Sequence, residues 1–377
     1  MAVYKEIFGL NLNKIRFLKK FDLVIGPILV KLLSALPIKK IPINDVKQVL
    51  FIRPGGIGDA VLLCPIISLI KSTSPGSSVD VLAETRNSTA FTLCPEIGKV
   101  YCYDRLPEFF ACVRKTYDVI IDTEQWHRLS AAVARLIRAK HRIGFAVNER
   151  SRLFHQAPAY TQNDYELTNF LRLIDSLVGS AHKVSMPYLH IPAEDRRRSE
   201  ALLPVDLNCG FVTIFPGASI PERRWHSNNF ARLAGLFKEW HMPVVVVGGS
   251  GDWEAGENIV AAGWGINLAG KTSLIETAAI VDRSELLVSG DSGILHVGVG
   301  LGKSTVSLFG PGIAQKWAPR GGDHIVLNKN MPCSPCTRFG YMPECPLKAK
   351  CMSDISVDEV FRAAITLLKR NQTTVVN

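Results

Sequence analysis

No uninterrupted apolar run in this sequence reaches the ~20 residues that a membrane-spanning helix needs. The run Leu23-Val-Ile-Gly-Pro-Ile-Leu-Val30, continued by Leu32-Leu33, is broken by Pro27 and Lys31. A secretory leader with a small-residue cleavage site is also missing. The nine cysteines are an odd number, so a reducing cytosol is the expected compartment. Cys64, Cys94, Cys102, Cys112 and Cys209 lie among apolar neighbours and read as core thiols. No zinc finger, aromatic-basic RNA motif or dense basic stripe occurs, and a nucleic-acid partner is not expected. Gly55-Gly-Ile-Gly-Asp59 is glycine-rich without matching G-x-G-x-x-G, and no G-x-S-x-G elbow supplies a nucleophile. Short repeats and low-complexity segments are absent.

What is present is a soluble-type composition, 47% hydrophobic and 21% charged, over 377 residues. That length suits two α/β domains better than one core. Forty-four Lys and Arg oppose 34 Asp and Glu, and the net charge of +10 favours an anionic partner. The excess is uneven. Residues 1–40 carry Lys5, Lys14, Arg16, Lys19, Lys20, Lys31, Lys39 and Lys40 against Glu6 and Asp22. This basic amphipathic arm has two readings: contact with an anionic membrane surface, or a helical arm packed on the body.

From residue 46 strand-like and helix-like runs alternate, which predicts a parallel, doubly wound sheet. Strands are expected at Gln48–Arg53, Val79–Leu82, Lys99–Tyr103, Tyr117–Asp122 and His141–Phe145. A polar stretch near 190–208 reads as a linker. The alternation restarts with Phe211–Phe215, Pro243–Gly249, Ile266–Ala269, Glu285–Val288 and Ser304–Phe309. The expected organisation is an arm over 1–45, one Rossmann-like domain over 46–195, a second over 206–352, and a helix and tail over 353–377. The last helix opens with the capping box Ser356-x-x-Glu359.

Ser289-Gly-Asp-Ser-Gly-Ile-Leu-His296 reads as a strand end, a tight turn and a helix start, an arrangement that offers free N–H groups to an anion. Ser292 is positioned to cap that helix, Gly293 admits a ligand close to the backbone, and His296 lies one turn in. Gly55, Gly56 and Gly58 form the turn after the first strand. Asp59 beside them either charges the helix start or takes a proton in the cleft. Arg223 and Arg224, beside Trp225, suit a diphosphate, and a solvated loop is the alternative. Gly265-Ile-Asn-Leu-Ala-Gly-Lys-Thr272 matches the phosphate-loop pattern G-x-x-x-x-G-K-T. It lacks a preceding buried strand, because Ile266 to Ala269 reads as the strand itself. Cys333-x2-Cys336-x8-Cys345-x5-Cys351 can be read as reduced thiols, a disulfide pair or a zinc knuckle, and no metal is predicted.

Several of these pieces occur in a fixed order: Arg53-Pro-Gly-Gly-Ile-Gly-Asp-Ala60, Arg142-Ile-Gly-Phe145, Phe215-Pro-Gly-Ala-Ser219 with Arg223-Arg-Trp225, Gly290-Asp-Ser-Gly-x-x-His296, and Leu308-Phe-Gly-Pro311. Together, over residues 46–370, they resemble the bacterial heptosyltransferase family, the ADP-heptose:lipopolysaccharide transferases. The resemblance implies a GT-B fold and an inverting transfer that needs no metal. It implies an acceptor-binding first half and a nucleotide-sugar-binding second half. It assigns Asp59 as general base, and Arg223 to the position of a family lysine that contacts the donor phosphates. Asp291, Ser292, Gly293 and His296 take the donor motif, and Ser219 and Thr272 fall near donor contacts. No Asp-x-Asp pair, often used by metal-dependent sugar transferases, is present. The expected partners are a nucleotide-sugar, ADP-heptose by family default, and a lipid-linked phosphorylated glycan acceptor at an anionic membrane. The expected location is the inner face of the cytoplasmic membrane. The competing reading is a phosphate-loop nucleotide hydrolase built on Gly265 to Thr272. A third is a sugar-nucleotide- or membrane-binding protein without turnover.

Overall fold

Val49, Leu50 and Phe51 are wholly buried in β1 (Gln48–Ile52). A strand apolar on both faces needs cover on both faces, so it belongs inside a parallel sheet flanked by helices. The computed structural model describes residues 19–38, 43, 45–180, 184–204, 207, 210–337 and 342–375. Cys209, Lys39, Lys40 and the basic residues before Lys19 lie outside them.

The first sheet contains β1, β2 (Ser78–Ala83), β3 (Ile97–Cys102), β4 (Thr116–Asp122) and β5 (Arg138–Gly144), in the order β3-β2-β1-β4-β5. The second contains β6 (Val212–Phe215), β7 (Val244–Val246), β8 (Gly265–Asn267), β9 (Leu286–Gly290), β10 (Thr305–Phe309) and β11 (His324–Asn328), in the order β11-β10-β9-β6-β7-β8. All pairings are parallel. Both orders reverse direction beside their first strand. The switch points lie between β1 and β4 and between β6 and β9, where Ile52 pairs with Asp122 and Phe215 with Ser289. In open α/β sheets ligands bind at such points.

Two corrections concern the elements. The stretch read as a linker contains a helix, Ala193–Glu200, with Glu194 and Asp195 in its first turn and Arg197 and Arg198 in its last. Those charges complement the helix dipole. β11 was not expected. It is an edge strand with every residue half-buried, so it lacks a core strand's apolar signature.

The two sheets share one core. Leu189, Ile191, Ala278, Val281, Leu287 and Ile294 join the cluster that holds Val49, Phe51 and Leu62. The closing helix, Val357–Val375, packs Val360, Ala364 and Leu367 onto the second sheet, and its capping box forms as expected.

The described part of the arm, a helix over 19–34, packs one face on the body, as the second of the two readings expects. Asp22, Gly26 and Val30, spaced four apart, face inward. The Asp22 carboxylate accepts the N–H groups of Arg128 and Leu129, each at 2.7 Å, and caps the helix Arg128–Leu136. Gly26 lies against Arg128, and Val30 enters the core with Leu50 and Ile52. The other face leaves Leu23, Val24, Ile28 and Leu32 exposed alongside Lys20 and Lys31.

Candidate active site

Arg53 continues β1 by one residue and is buried. Nη1 donates to the carbonyl of Thr123 at 2.8 Å, which ties the end of β1 to the end of β4. Nη2 lies 3.3 Å from Oδ1 of Asp59. Gly55 makes this pairing possible. Its φ of +121° is closed to most side chains, and a Cβ there would meet Nη2 of Arg53 at 2.9 Å. Burial works against the Arg53 charge, but Asp59, Glu124 and Glu166 together hold the guanidinium above its ordinary range.

Gly56 is the extended N-cap residue of the helix Ile57–Thr73 and has no side-chain cap. Asp59 sits in that helix's first turn, partly open to solvent, and the dipole favours its charge. Across the domain boundary, β9 ends at Gly290 and the helix Gly293–Gly300 begins. Ser292 caps it as expected: Oγ accepts the Leu295 N–H at 3.2 Å and is held by Ser289 Oγ at 2.9 Å. At the two helix starts the bare backbone of a glycine meets a side chain of the other helix. A Cβ on Gly58 would strike His296 Cδ2 at 2.7 Å, and one on Gly293 would strike Ile57 Cβ at 2.9 Å. Asp59, Ser292, Gly293 and His296, scattered in the sequence, therefore surround one point where both switch points meet.

His296 is buried, with its ring edge-on to Trp317 at 6.1 Å. Burial pushes its imidazole below the ordinary value, against the pull of Asp291 and Asp59. Its Nδ1 is buried without a hydrogen-bond partner among the described residues. Because the folded protein resists protonation there, this group costs stability as pH falls below ~6.5, where the unfolded chain takes up the proton.

The other expected donor residues separate into groups. Arg223 and Asp291 are brought together, with Nη1 3.0 Å from Oδ2. Arg224 turns its Nε and Nη2 to the carbonyl of Ala218 at 3.1 and 2.9 Å, where it braces the Pro216–Ser219 turn. Ser219 is exposed on that turn. Thr272 shares a 2.8 Å hydrogen bond with Thr277, beside the N-cap of the helix Leu274–Arg283. The phosphate-loop match does not have a phosphate loop's form. Gly265 lies inside β8, where a Cβ would collide with the Val244 carbonyl, so its glycine serves strand packing. Lys271 donates to Asn267 O at 3.2 Å and covers the Trp253 ring at 4.5 Å. Cys333, Cys336, Cys345 and Cys351 line one small cavity as free thiols. Among the described residues no three His, Cys, Asp or Glu side chains are arranged to hold a metal ion.

Several residues at the site escaped the sequence reading. Glu124, after β4, accepts the N–H groups of Gln125 and Trp126 at 3.0 and 3.1 Å and shapes the loop that follows that strand. Glu166 is fully buried. It takes Gln125 Nε2 at 2.6 Å and Tyr160 Oη at 3.0 Å, and Lys316 Nζ lies 3.3 Å away. The available signal was a carboxylate at the start of an otherwise amphipathic helix, Glu166–Val178.

Residues 109–344 match the model for glycosyltransferase family 9 (heptosyltransferase). The chain is 25% identical to a lipooligosaccharide heptosyltransferase 2 of Haemophilus ducreyi, over 74% of this chain and 88% of that protein. It is 27% identical to a lipopolysaccharide heptosyltransferase 3 of Escherichia coli, over 71% and 85%. Its fold is similar to the solved structure of E. coli ADP-heptose lps heptosyltransferase II, with a TM-score of 0.72, 21% identity, and coverage of 86% of this chain and 99% of that one.

Proposed function

Since the chain belongs to glycosyltransferase family 9, and is therefore a glycosyltransferase of GT-B fold, we propose that it moves a heptose from ADP-heptose onto a lipopolysaccharide core or related envelope glycan. The observation that carries this reading is the meeting of the Asp59 turn with the Ser292–His296 helix start across the domain boundary. One side offers a carboxylate, and the other offers N–H groups that suit a diphosphate.

In this mechanism the acceptor hydroxyl gives its proton to Asp59 while its oxygen attacks the anomeric carbon. The bond from that carbon to the β-phosphate oxygen breaks, and ADP leaves. A single displacement inverts the anomeric centre. The charge growing on the leaving diphosphate is met by the N–H groups at the Gly293 helix start, by Arg223 and by a hydrogen bond from His296. Preorganised donors of this kind are usually the largest contribution to such a transfer. Asp291 aims the Arg223 guanidinium, and Arg224 acts through the Ala218 turn. Ser219 and Thr272 lie at the donor's edge. Arg223 and the helix-start N–H groups supply the neutralisation for which other transferases use a divalent ion. The hydrolase alternative has no support in how Gly265 and Lys271 are used.

The test is direct. Full-length protein is incubated with ADP-heptose and a heptose-deficient lipopolysaccharide, and ADP and heptosylated product are measured. Equal release of both is expected. Turnover of a different nucleotide-sugar, with ADP-heptose untouched, would overturn the donor assignment.

Membrane contact is assigned to the outer face of the 19–34 helix. Its one acidic residue, Asp22, is used internally, so only lysines flank the exposed Leu23, Ile28 and Leu32. Each lysine near an anionic surface contributes about 1 kcal/mol, and each inserted aliphatic side chain about 1.5–3 kcal/mol. No described helix is long and apolar enough to cross a membrane. Changing Ile28 and Leu32 together to Asn is expected to abolish sedimentation with phosphatidylglycerol vesicles while leaving transfer to a lipid-free acceptor unchanged. Sedimentation equal to wild type would refute the assignment. Deleting the arm is a poor test, because it would uncap the Arg128 helix and remove Val30 from the core.

A further inference from the structure

Three helices cover one face of the first sheet: the 19–34 helix, the helix Leu106–Arg114 and the helix Arg128–Leu136. Each buries its inner side in the same core. Val30 comes from the first, Cys112 with Phe109 and Val113 from the second, and Ala131 with Ala134 from the third, in one cluster with Leu50 and Ile52 of β1. Arg135 ties the end of the third helix to the end of the arm, donating from Nη2 to the carbonyls of Leu36 and Pro37 at 3.0 and 3.1 Å. The three outer sides therefore belong to one layer.

That layer is apolar on the outside well beyond the arm. Leu106 is 66% exposed, Phe110 51% and Leu136 64%. Leu106 and Phe110 stand four apart and share one side of their helix. Among the described residues of the second domain, the exposed large hydrophobic side chains are Trp253, Trp264 and Leu347. An apolar surface concentrated on one layer marks an interaction site. The charge on the layer has one sign. The acids in the three helices are Asp22 and Glu108, and both are used internally. Asp22 caps the third helix, and Glu108 accepts the Cys102 N–H at 2.7 Å and Arg105 Nη1 at 3.0 Å. Lys20, Lys31 and Arg114 are exposed.

We propose that the whole layer, and not the arm alone, is a docking surface for an anionic lipid bilayer. This rests on the membrane reading of the arm. Binding of an amphipathic surface scales with the apolar area it inserts and with the attraction of its cations to anionic lipid, and three helices supply more of both than one. A second copy of this chain fits less well, because a symmetric contact would set the same lysines and arginine against each other. The layer also fixes an orientation. Leu106 follows the carboxyl end of β3, and Asp22 caps the helix that follows the carboxyl end of β4. One edge of the layer thus lies at the end of the sheet that carries Asp59. Docked this way, the protein holds the Asp59 turn beside the bilayer, within reach of a glycan carried on a lipid.

The experiment is sedimentation of the full-length protein with phosphatidylglycerol vesicles over a range of lipid concentrations. Leu106→Asn combined with Phe110→Asn leaves the inward Phe109, Cys112 and Val113 in place. It is expected to lower the partition coefficient by about 10-fold or more, the scale of withdrawing two apolar side chains from the bilayer. Its thermal midpoint and its transfer to a lipid-free acceptor should equal wild type. Leu136→Asn, on another helix, should lower partitioning in the same direction, and it decides the matter if the first variant does not fold. Wild-type partitioning in both, with loss in the Ile28 and Leu32 variant, would overturn the inference and leave the arm as the sole contact. Wild-type partitioning in all three would instead remove the membrane reading itself. A wild-type dimer in sedimentation velocity that Phe110→Asn converts to monomer, with vesicle binding unchanged, would make a second copy the partner and would also overturn the proposal.

Discussion

Asp59→Asn is expected to lower sugar transfer by about 10²- to 10⁴-fold, the range a positioned general base contributes, while ADP still binds. Asparagine keeps the volume of the side chain and can stay beside Arg53, so the turn at Gly55 is preserved. What disappears is the capacity to accept the acceptor's proton. The groups proposed to bind the donor, Arg223, Ser292 and His296, belong to the other domain and are untouched. The appropriate measurement pairs single-turnover transfer with calorimetric titration of ADP. A variant that transfers at the wild-type rate would remove Asp59 from the chemistry. Loss of ADP binding in parallel would instead show that the change had disturbed the domain boundary.

The largest expected effect on stability comes from Arg150. This side chain has no solvent exposure, and Nη2 lies 2.5 Å from the equally buried carboxylate of Asp122. Its Nη1 donates to the Glu124 carbonyl, and Phe154 packs across the guanidinium at 5.3 Å. Burial raises the Asp122 carboxyl above its ordinary range, against the pull of Arg150. Arg150→Met leaves that carboxylate without its counter-charge in a dry interior, and breaking one side of such a pair costs about 3–5 kcal/mol. Urea unfolding followed by fluorescence should show an earlier first transition. The double variant Arg150→Met with Asp122→Leu should recover most of the loss, because no unpaired charge remains. A single variant as stable as wild type would show that the pair contributes nothing. Activity should fall with stability, since Asp122 ends β4 and Arg150 holds the loop that carries Thr123 and Glu124.

The anchors of the site were legible because each lies within a short contiguous stretch at a strand end. The turn from Arg53 to Asp59 and the turn from Gly290 to His296 each announce strand, glycine and helix start in one reading. The alternation of elements likewise revealed both sheets, apart from the half-buried edge strand β11. Contacts between distant residues were not legible. Lys316 and Tyr160 stand 156 positions apart, and nothing in Gln-Lys-Trp distinguishes a buried lysine from a solvated one. The Arg223–Asp291 pair was hidden in the same way: both residues were expected at the donor, but not against each other. The phosphate-loop match shows the opposite error. The letters were right, but Gly265 was needed by a neighbouring strand.

The bare contact between Gly58 and the Gly293 helix acts, in mechanical terms, as an end stop. Closure is limited where each bare glycine meets a side chain of the other domain, Gly58 the His296 ring and Gly293 the Ile57 side chain. The Asp59 turn and the Gly293 helix start are thus gauged against each other from opposite domains. That matters because a misplacement of about 1 Å can cost a transfer on the order of 10²-fold.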